Sequence, residues 1–200
     1  MSTGLTAKLR VAVLISGHGS NMVALAEAAA APDYPAEIAL VISNRPDAAG
    51  LDKARDMGIT ALAIDHKDYP SRESFEVDLH EALIDAKIDL VCCAGFMRVL
   101  TPYFTRRWPD RLLNIHPSLL PKYKGLNTHK RAIEAGDKTH GCTVHYVNEE
   151  LDGGTVIEQS TIDILADDTP DTLAKRLIPL EHALYVNTLK TICFALNPAI

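Results

Sequence analysis

Short runs of β-forming residues alternate with longer helical runs over the first two-thirds of this 200-residue chain, and no other feature limits the possible folds as strongly. Several of the short runs are apolar throughout, which is typical of strands that are covered on both faces. Such an alternation predicts an α/β fold with a mostly parallel, Rossmann-like sheet and helices on both faces. The predicted strands span residues 9–16, 38–43, 61–64, 90–94 and 112–116, and the predicted helices span residues 21–31, 48–57 and 71–86.

The pattern changes in the last third of the chain. Residues 141–147 and 155–164 are two strand-like runs joined by a turn around Asp152, which predicts an antiparallel C-terminal extension of the sheet. A last helix is predicted from about Thr169, a favourable N-cap residue, and Pro179 is expected to kink or interrupt it. Since no repeat, low-complexity tract or linker is visible, all 200 residues are predicted to form a single domain.

Charge and composition exclude several classes of protein. The formal net charge of −6 argues against a nucleic-acid partner, which would favour a clustered basic surface. No apolar run approaches the roughly 18 residues of a membrane helix, and the N-terminus lacks the layout of a signal peptide, so we predict a cytoplasmic protein without membrane contacts. The four cysteines lack Cys-x-x-Cys spacing, and the adjacent Cys92 and Cys93 would point to opposite faces of a strand, so ordinary core thiols are expected.

A glycine-rich segment, Gly17-His18-Gly19-Ser20-Asn21, lies between the first predicted strand and the first predicted helix. Glycines let the backbone approach a ligand closely, and the free N–H groups at the start of a helix favour an anion, so a phosphate site is predicted. A dinucleotide motif would need a third glycine where Met22 stands, although Arg45 after the second strand could meet a 2′-phosphate. A tight turn without a ligand is the alternative interpretation.

Asn114 and His116 end the fifth predicted strand, where their spacing of two places them on the same face. When an amine attacks an acyl carbon, the N–H of an amide such as that of Asn114 can stabilise the oxyanion, an effect typically worth ~10²–10³ in rate. The imidazole of His116 can exchange protons near neutral pH, and Asp152 can orient it and favour its cationic form. The three residues indicate direct acyl transfer to an amine. From residue types alone, a capped strand end beside an ordinary hairpin turn is equally compatible.

The other histidines give weaker signals. His18 and His129 are expected near the site, whereas most of the rest are expected at the surface or in ordinary hydrogen-bonded positions. His140 and His145 are five residues apart on a probable strand edge, which is not a clear spacing for metal ligands.

Four ordered motifs resemble those of the phosphoribosylglycinamide formyltransferases, a family of folate-dependent enzymes, and the resemblance extends from about Leu9 to Leu189. The family transfers a formyl group from 10-formyltetrahydrofolate, its co-substrate, to the amine of glycinamide ribonucleotide in purine biosynthesis, without a metal. The resemblance implies the same mostly parallel fold and small-molecule substrates here. The motifs span residues 15–21, 94–100, 113–121 and 150–154.

The resemblance also implies roles for individual residues. Asn114, His116 and Asp152 match the catalytic set. Residues that match the ribonucleotide site are Gly19, Ser20, Asn21 and Glu181. Residues that match the folate site are Arg72, Met97, Arg98, Val99, Leu100, Asn114, Asn148, Glu149, Glu150, Leu151 and Asp152.

The chain departs from the family pattern at a few positions. Ile178 replaces a glutamine that some members carry near Glu181, and Lys124 and Asn148 replace residues that are often proline and threonine. Two alternative functions stay open: a formyltetrahydrofolate hydrolase, which normally has an N-terminal regulatory domain, and a non-catalytic module that binds a phosphate ligand. A monomer or a homodimer is expected.

Overall fold

The computed structural model describes residues 8–198, which form a seven-stranded sheet surrounded by six α-helices and a short 3₁₀ helix at His66–Asp68. The strands are β1 (Leu9–Ile15), β2 (Ala36–Ser43), β3 (Thr60–Ala63), β4 (Leu90–Cys93), β5 (Leu112–His116), β6 (Thr139–Tyr146) and β7 (Val156–Asp163). The helices are α1 (Ser20–Ala29), α2 (Ala49–Asp56), α3 (Arg72–Asp85), α4 (Pro102–Thr105), α5 (Thr128–Glu134) and α6 (Pro170–Leu196).

The strands lie in the order β3-β2-β1-β4-β5-β6-β7. The first five in this order pair in parallel, and β6 and β7 extend the sheet in antiparallel fashion beyond β5. This arrangement confirms the fold class that was predicted from the sequence. The predicted strands and helices begin and end within about two residues of the observed ones, whereas α4 and α5 were not predicted.

Two apolar cores cover the two faces of the sheet. Along β1, Val11, Val13 and Ile15 face the core that contains α1, α2 and α6, whereas Ala12 and Leu14 face the core that contains α3 and α4. The alternation follows from the two-residue period of a strand, and it explains why β1 is apolar throughout. Each core takes one of the paired cysteines of β4, as the sequence predicted.

Helix α6 begins at a capping box, in which the side chain of Thr169 accepts a hydrogen bond from the backbone of Thr172, and Pro170 follows the cap. The helix continues through Pro179, so the interruption expected there does not occur. Pro179 and Lys175 are both exposed, so water can hydrate the Lys175 carbonyl, which a helical N–H at position 179 would otherwise have bonded. Leu177 and Leu184 pack into the core on either side of the proline.

The carboxyl ends of β1, β4 and β5 meet at one edge of the sheet. The strand order reverses between the neighbouring strands β1 and β4. Helices α1 and α2 cover one face of the sheet, and α3 covers the other. Open α/β sheets bind ligands at such a switch point. The glycine-rich segment follows β1 there, and the β6–β7 turn that carries Asp152 reaches the same edge. Among residues 8–198, no helix combines the length and the apolar character needed to cross a membrane.

Candidate active site

Three adjoining cavities open at this edge of the sheet. The central cavity, of about 660 Å³, is lined by Asn114, His116 and Asp152 and also by Asn21 and Glu181. The loop cavity, of about 280 Å³, is lined by residues 16–21 and their neighbours across the switch point. The side cavity, of about 90 Å³, lies between residues 96–100 and residues 147–152.

Asp152 is a buried carboxylate in the central cavity. Its backbone has φ of 49°, in the left-handed region that is uncommon for residues other than glycine. Oδ2 accepts a hydrogen bond of 2.8 Å from the backbone N–H of Gly125 and lies 3.4 Å from Nδ1 of His116. Oδ1 lies 3.7 Å from Nε2 of His145. Asp152 therefore stands between two imidazoles, and the backbone of residue 125 holds it in place.

His116 is also buried, and protein oxygens face both of its ring nitrogens. Nε2 lies 2.9 Å from the carbonyl oxygen of Tyr123, and since a carbonyl only accepts, Nε2 carries a proton in this contact. Nδ1 faces the Asp152 carboxylate. Two acceptors thus orient the ring.

Asn114 contacts a residue whose importance the sequence did not reveal. Its side-chain nitrogen lies 3.1 Å from Nε2 of His145, the residue directly opposite on β6. His145 is almost completely buried, and burial lowers the pKa of its imidazole. The β5–β6 register would have identified this pair. The sequence does not predict that register, because the connection between β5 and β6 is long and contains no pattern that fixes how the two strands align.

The glycine-rich segment turns tightly between β1 and α1. Gly19 has φ of 68°, and a Cβ atom at this position would lie 3.1 Å from Cα of Gly50. Glycine therefore satisfies both the left-handed backbone and the close approach of α2. Because α1 begins at Ser20, its first N–H groups have no partner within the helix and are available at the loop cavity.

The side chain of Asn21 links α1 to α6. Its Nδ2 donates a hydrogen bond of 2.9 Å to Oε2 of Glu181, 160 positions away in the chain. Burial raises the pKa of the Glu181 carboxyl, and the hydrogen bond from Asn21 opposes this effect. The Oδ1 atom of Asn21 is buried and has no hydrogen-bond partner among the described residues. Two acceptors, this oxygen and the Glu181 carboxylate, thus belong to side chains that line the central cavity.

Most residues of the predicted folate group surround the side cavity. Arg98, Val99, Leu100 and Asn114 line it together with residues 148–152. Met97 instead lines the central and loop cavities. Arg72 is exposed at the first turn of α3 and lines none of the three cavities. The side chains of Met97, Val99 and Leu151 are exposed large apolar groups, so the mouth of the cleft has an apolar character suited to an organic ligand.

Other residues singled out in the sequence lie close by. His18 and Arg45 line the loop cavity, and the guanidinium of Arg45 is paired with Asp47. His129 lines the central cavity and contacts His140 through a hydrogen bond of 3.0 Å between their ring nitrogens. Within residues 8–198, no group of three or more His, Cys, Asp or Glu side chains is arranged to hold a metal ion.

This chain is similar to known proteins in sequence and in fold. The formyl transferase family model matches residues 9–189. The phosphoribosylglycinamide formyltransferase of Haemophilus influenzae is 43% identical over 181 residues, which cover 90% of this chain and 85% of that protein. The Brucella melitensis phosphoribosylglycinamide formyltransferase structure superimposes with a TM-score of 0.90 at 45% identity, covering 94% of this chain and 96% of that chain.

A longer relative aligns over one part only. The trifunctional purine biosynthetic protein adenosine-3 of Drosophila melanogaster is 52% identical over 175 residues. These cover 86% of this chain but only 13% of the Drosophila protein, so the chain spans a small part of that relative's length.

Proposed function

The chain belongs to the formyl transferase family, and from that premise we propose that it transfers the formyl group of 10-formyltetrahydrofolate to the amine of glycinamide ribonucleotide in purine biosynthesis. One observation carries the proposal above all others. Asn114, His116 and Asp152 converge on a cavity of about 660 Å³ that adjoins a glycine-rich loop suited to a phosphate. A phosphate site and an amine-acylation site side by side fit a phosphorylated amine as the acceptor.

The chemistry is a direct transfer between two nitrogens. The acceptor amine attacks the formyl carbon, the C=O electron pair moves to oxygen, and a tetrahedral intermediate forms. The bond from the formyl carbon to N10 of the folate then breaks, N10 gains a proton, and the attacking nitrogen loses one. The products are the formamide and tetrahydrofolate, and neither a metal nor a covalent enzyme intermediate takes part.

Asn114 would stabilise the negative oxygen of the intermediate through a side-chain N–H. His116, held by Asp152, would supply positive charge near that oxygen and act as the general acid and base. In the described conformation both ring nitrogens of His116 face protein oxygens, so proton exchange with the substrate requires one contact to open.

The ribonucleotide would lie between the glycine-rich segment and α6. Backbone N–H groups of Gly19, Ser20 and Asn21 would receive its phosphate at the start of α1. Glu181 would accept an N–H of the glycinamide amine, and the hydrogen bond from Asn21 would hold the carboxylate in place. Ile178 offers no polar group at the position where some relatives carry glutamine, so its contribution to binding would be apolar.

The folate would occupy the side cavity and the apolar mouth of the cleft. A pterin is a flat ring system with donors and acceptors along its edge, so it suits a narrow space between two loops. Residues 97–100 would cover one side of it, and residues 148–152 the other. Arg72 lies outside these cavities, so a role in folate binding would concern the distal, anionic end of the molecule. We further propose that the chain works as a single domain in the cytoplasm on small-molecule substrates.

The decisive experiment mixes the protein with 10-formyltetrahydrofolate and one candidate amine at a time, and follows tetrahydrofolate formation together with the mass of the formylated product. We expect turnover with glycinamide ribonucleotide, none with glycinamide lacking the ribose phosphate, and negligible deformylation without an acceptor. Deformylation at an equal rate in the absence of any amine would instead identify a hydrolase. Binding of both ligands without turnover would identify a non-catalytic module.

A further inference from the structure

We propose that His145 is a positioning residue that fixes the side-chain amide of Asn114 so that one of its N–H groups faces the reacting formyl oxygen. The proposal rests on the function proposed above and adds to it a residue that neither the sequence motifs nor the catalytic set includes.

The two residues are paired by the fold itself. Asn114 on β5 lies directly opposite His145 on β6, and the side-chain nitrogen of Asn114 approaches Nε2 of His145 to 3.1 Å. The β6–β7 ladder shifts register between Val144 and His145. Such irregularities redirect a side chain and are common beside active sites. His145 is 1% exposed, so the contact is shielded from water.

Hydrogen bonding fixes the tautomer of His145. Its Nδ1 lies 2.8 Å from the carbonyl oxygen of Tyr146, and because that oxygen only accepts, Nδ1 carries the proton. In the neutral ring Nε2 then presents a lone pair. Only the NH₂ group of Asn114 can bind that lone pair, since the amide oxygen would be repelled by it. His145 thereby decides which way the Asn114 amide points, a choice that coordinates alone leave open.

The consequence for catalysis follows from the number of donors. The NH₂ group of Asn114 has two N–H bonds, one of which is given to His145. The second remains available at the central cavity, which Asn114 also lines. A fixed donor stabilises a developing oxyanion better than a rotating one, because no reorganisation is needed during the reaction.

Burial favours the neutral ring of His145, whereas the groups around the ring act in opposite directions. Burial is the largest influence and lowers the pKa of His145. The hydrogen bond to the Tyr146 carbonyl and the Asp152 carboxylate, 3.7 Å from Nε2, raise this pKa, and nearby His116 lowers it. The side cavity that His145 lines also contains Cys93, Arg98, Glu149 and Glu150. If the ring gained a proton, Nε2 would become a donor, the Asn114 amide would turn its oxygen to it, and the oxyanion would lose its N–H.

The test is a double-mutant cycle between these two positions. His145→Leu should lower kcat about 30- to 300-fold and change the KM of either substrate less than about threefold, because the lost interaction acts in the transition state. His145→Gln keeps an acceptor oxygen and should retain kcat within about tenfold. In an Asn114→Ala background, His145→Leu should cost less than about threefold more, because the group it positions is already gone.

Several outcomes would overturn the proposal. They are a normal kcat in His145→Leu, an equal loss in both backgrounds, and coupling to Asp152→Asn instead of Asn114→Ala. His80→Leu serves as the matched control, since His80 packs against Trp108 away from the cavity. Should the leucine variant fail to fold, ¹⁵N NMR of the histidine ring in the unmodified protein decides. We expect a protonated Nδ1 and an unprotonated Nε2 at pH 7.5, and the opposite tautomer or a cation would contradict the proposal.

The same NMR measurement separates this proposal from the proposed function. If the unmodified protein does not formylate glycinamide ribonucleotide, the proposed function fails. The tautomer of His145 would still show whether its Nε2 can accept an N–H of Asn114, which the positioning role requires.

Discussion

The buried Asp152 carboxylate lies 3.4 Å from Nδ1 of His116, and the exposed fractions of the two side chains are 9% and 7%. We expect His116→Ala and Asp152→Asn each to lower kcat by about 10²–10⁴, the range that general acid–base groups contribute. The fold should persist, because asparagine keeps the size of aspartate and alanine at a strand end is tolerated.

Steady-state kinetics and circular dichroism test this prediction. Asp33→Asn is a suitable control because Asp33 is exposed in the loop before β2, at the opposite end of the sheet from the cavities. Turnover close to that of the unmodified protein in either active-site variant would remove the pair from the mechanism.

We expect Glu181 to combine a cost in stability with the role in ribonucleotide binding that is proposed for it above. Burial raises the pKa of its carboxyl, so the folded state binds its proton more tightly than the unfolded chain does. A carboxyl with a raised pKa destabilises the fold when it is ionised, and this cost disappears as the pH falls through the raised pKa. Glu181→Gln should therefore raise Tm at pH 8 by about 2–4 °C, equivalent to about 1 kcal/mol, with a smaller gain at pH 5.

The same variant should bind the ribonucleotide more weakly, because a neutral amide is a poorer acceptor for the amine. Thermal denaturation at the two pH values and the KM for glycinamide ribonucleotide check both parts. A Tm difference that is independent of pH would show that ionisation of Glu181 does not limit stability.

At the scale of whole elements, the β6–β7 turn places Asp152, and two adjacent glycines in it differ in what they tolerate. A Cβ at Gly154 would lie 1.7 Å from the backbone oxygen of Tyr146, which cannot move without disturbing the sheet. The nearest atoms to a Cβ at Gly153 belong to the exposed side chain of Glu150, which can rotate away at the cost of its ion pair with Lys124. We expect Gly154→Ala to lower kcat at least about tenfold by displacing Asp152, since a shift of about 1 Å can cost about 10²-fold.

Gly153→Ala is the matched control for this prediction and should keep kcat within about threefold of the unmodified value, because rotation of one exposed side chain costs little. Kinetics of both variants, with thermal denaturation to confirm folding, make the comparison. Equal effects of the two substitutions would mean that the turn adjusts freely and does not fix Asp152.

The elements that the sequence predicted are those with a repeated pattern. In the predicted helix 71–86, Phe75, Leu79 and Leu83 recur at a helical spacing, and their side chains are buried in α3. Helices α4 and α5 were missed because they contain four and seven residues, too few for a periodic pattern to emerge. Of the kink or interruption predicted at Pro179, the interruption does not occur, since a proline interrupts a helix less readily when its ring and the released carbonyl face water.

The residues of the candidate site also fall into those that the sequence could predict and those that it could not. Residues within a continuous motif, such as Asn114 and His116, could be assigned because a strand places alternate side chains on one face. Contacts that depend on tertiary structure could not be assigned, such as the bond from Asn21 to Glu181 across 160 positions. The pairing of His145 with Asn114 belongs to the same class, because its register depends on how the sheet is assembled.

At the scale of the whole molecule, the two cores enclose every cysteine of the chain. All four are free and buried, at positions 92, 93, 142 and 193. The hydroxyl of Tyr185 in α6 donates a hydrogen bond of 3.1 Å to the carbonyl of Cys93, so the helix that covers one core is attached to the middle of the sheet. Exposure of the Cys92 thiol, which lies in the core that α6 covers, consequently requires that this helix separates from the sheet.

This burial predicts how the thiols react. Desolvation raises the pKa of Cys93, Cys142 and Cys193 to about 12 and raises that of Cys92 further still. Because the thiolate is the nucleophile, a disulfide reagent at pH 8 should label the native protein at well below one equivalent over minutes, and four equivalents once denaturant unfolds it. Labelling then follows the opening of the fold, so glycinamide ribonucleotide and a non-reactive folate analogue together should slow it. The logarithm of the labelling rate should fall in proportion to the free energy by which the two ligands stabilise the folded state. Mass spectrometry of partly labelled protein tests whether the two cores open together. Opening in one step yields only unlabelled and fourfold-labelled chains. A singly labelled native species would show that one core opens independently of the other.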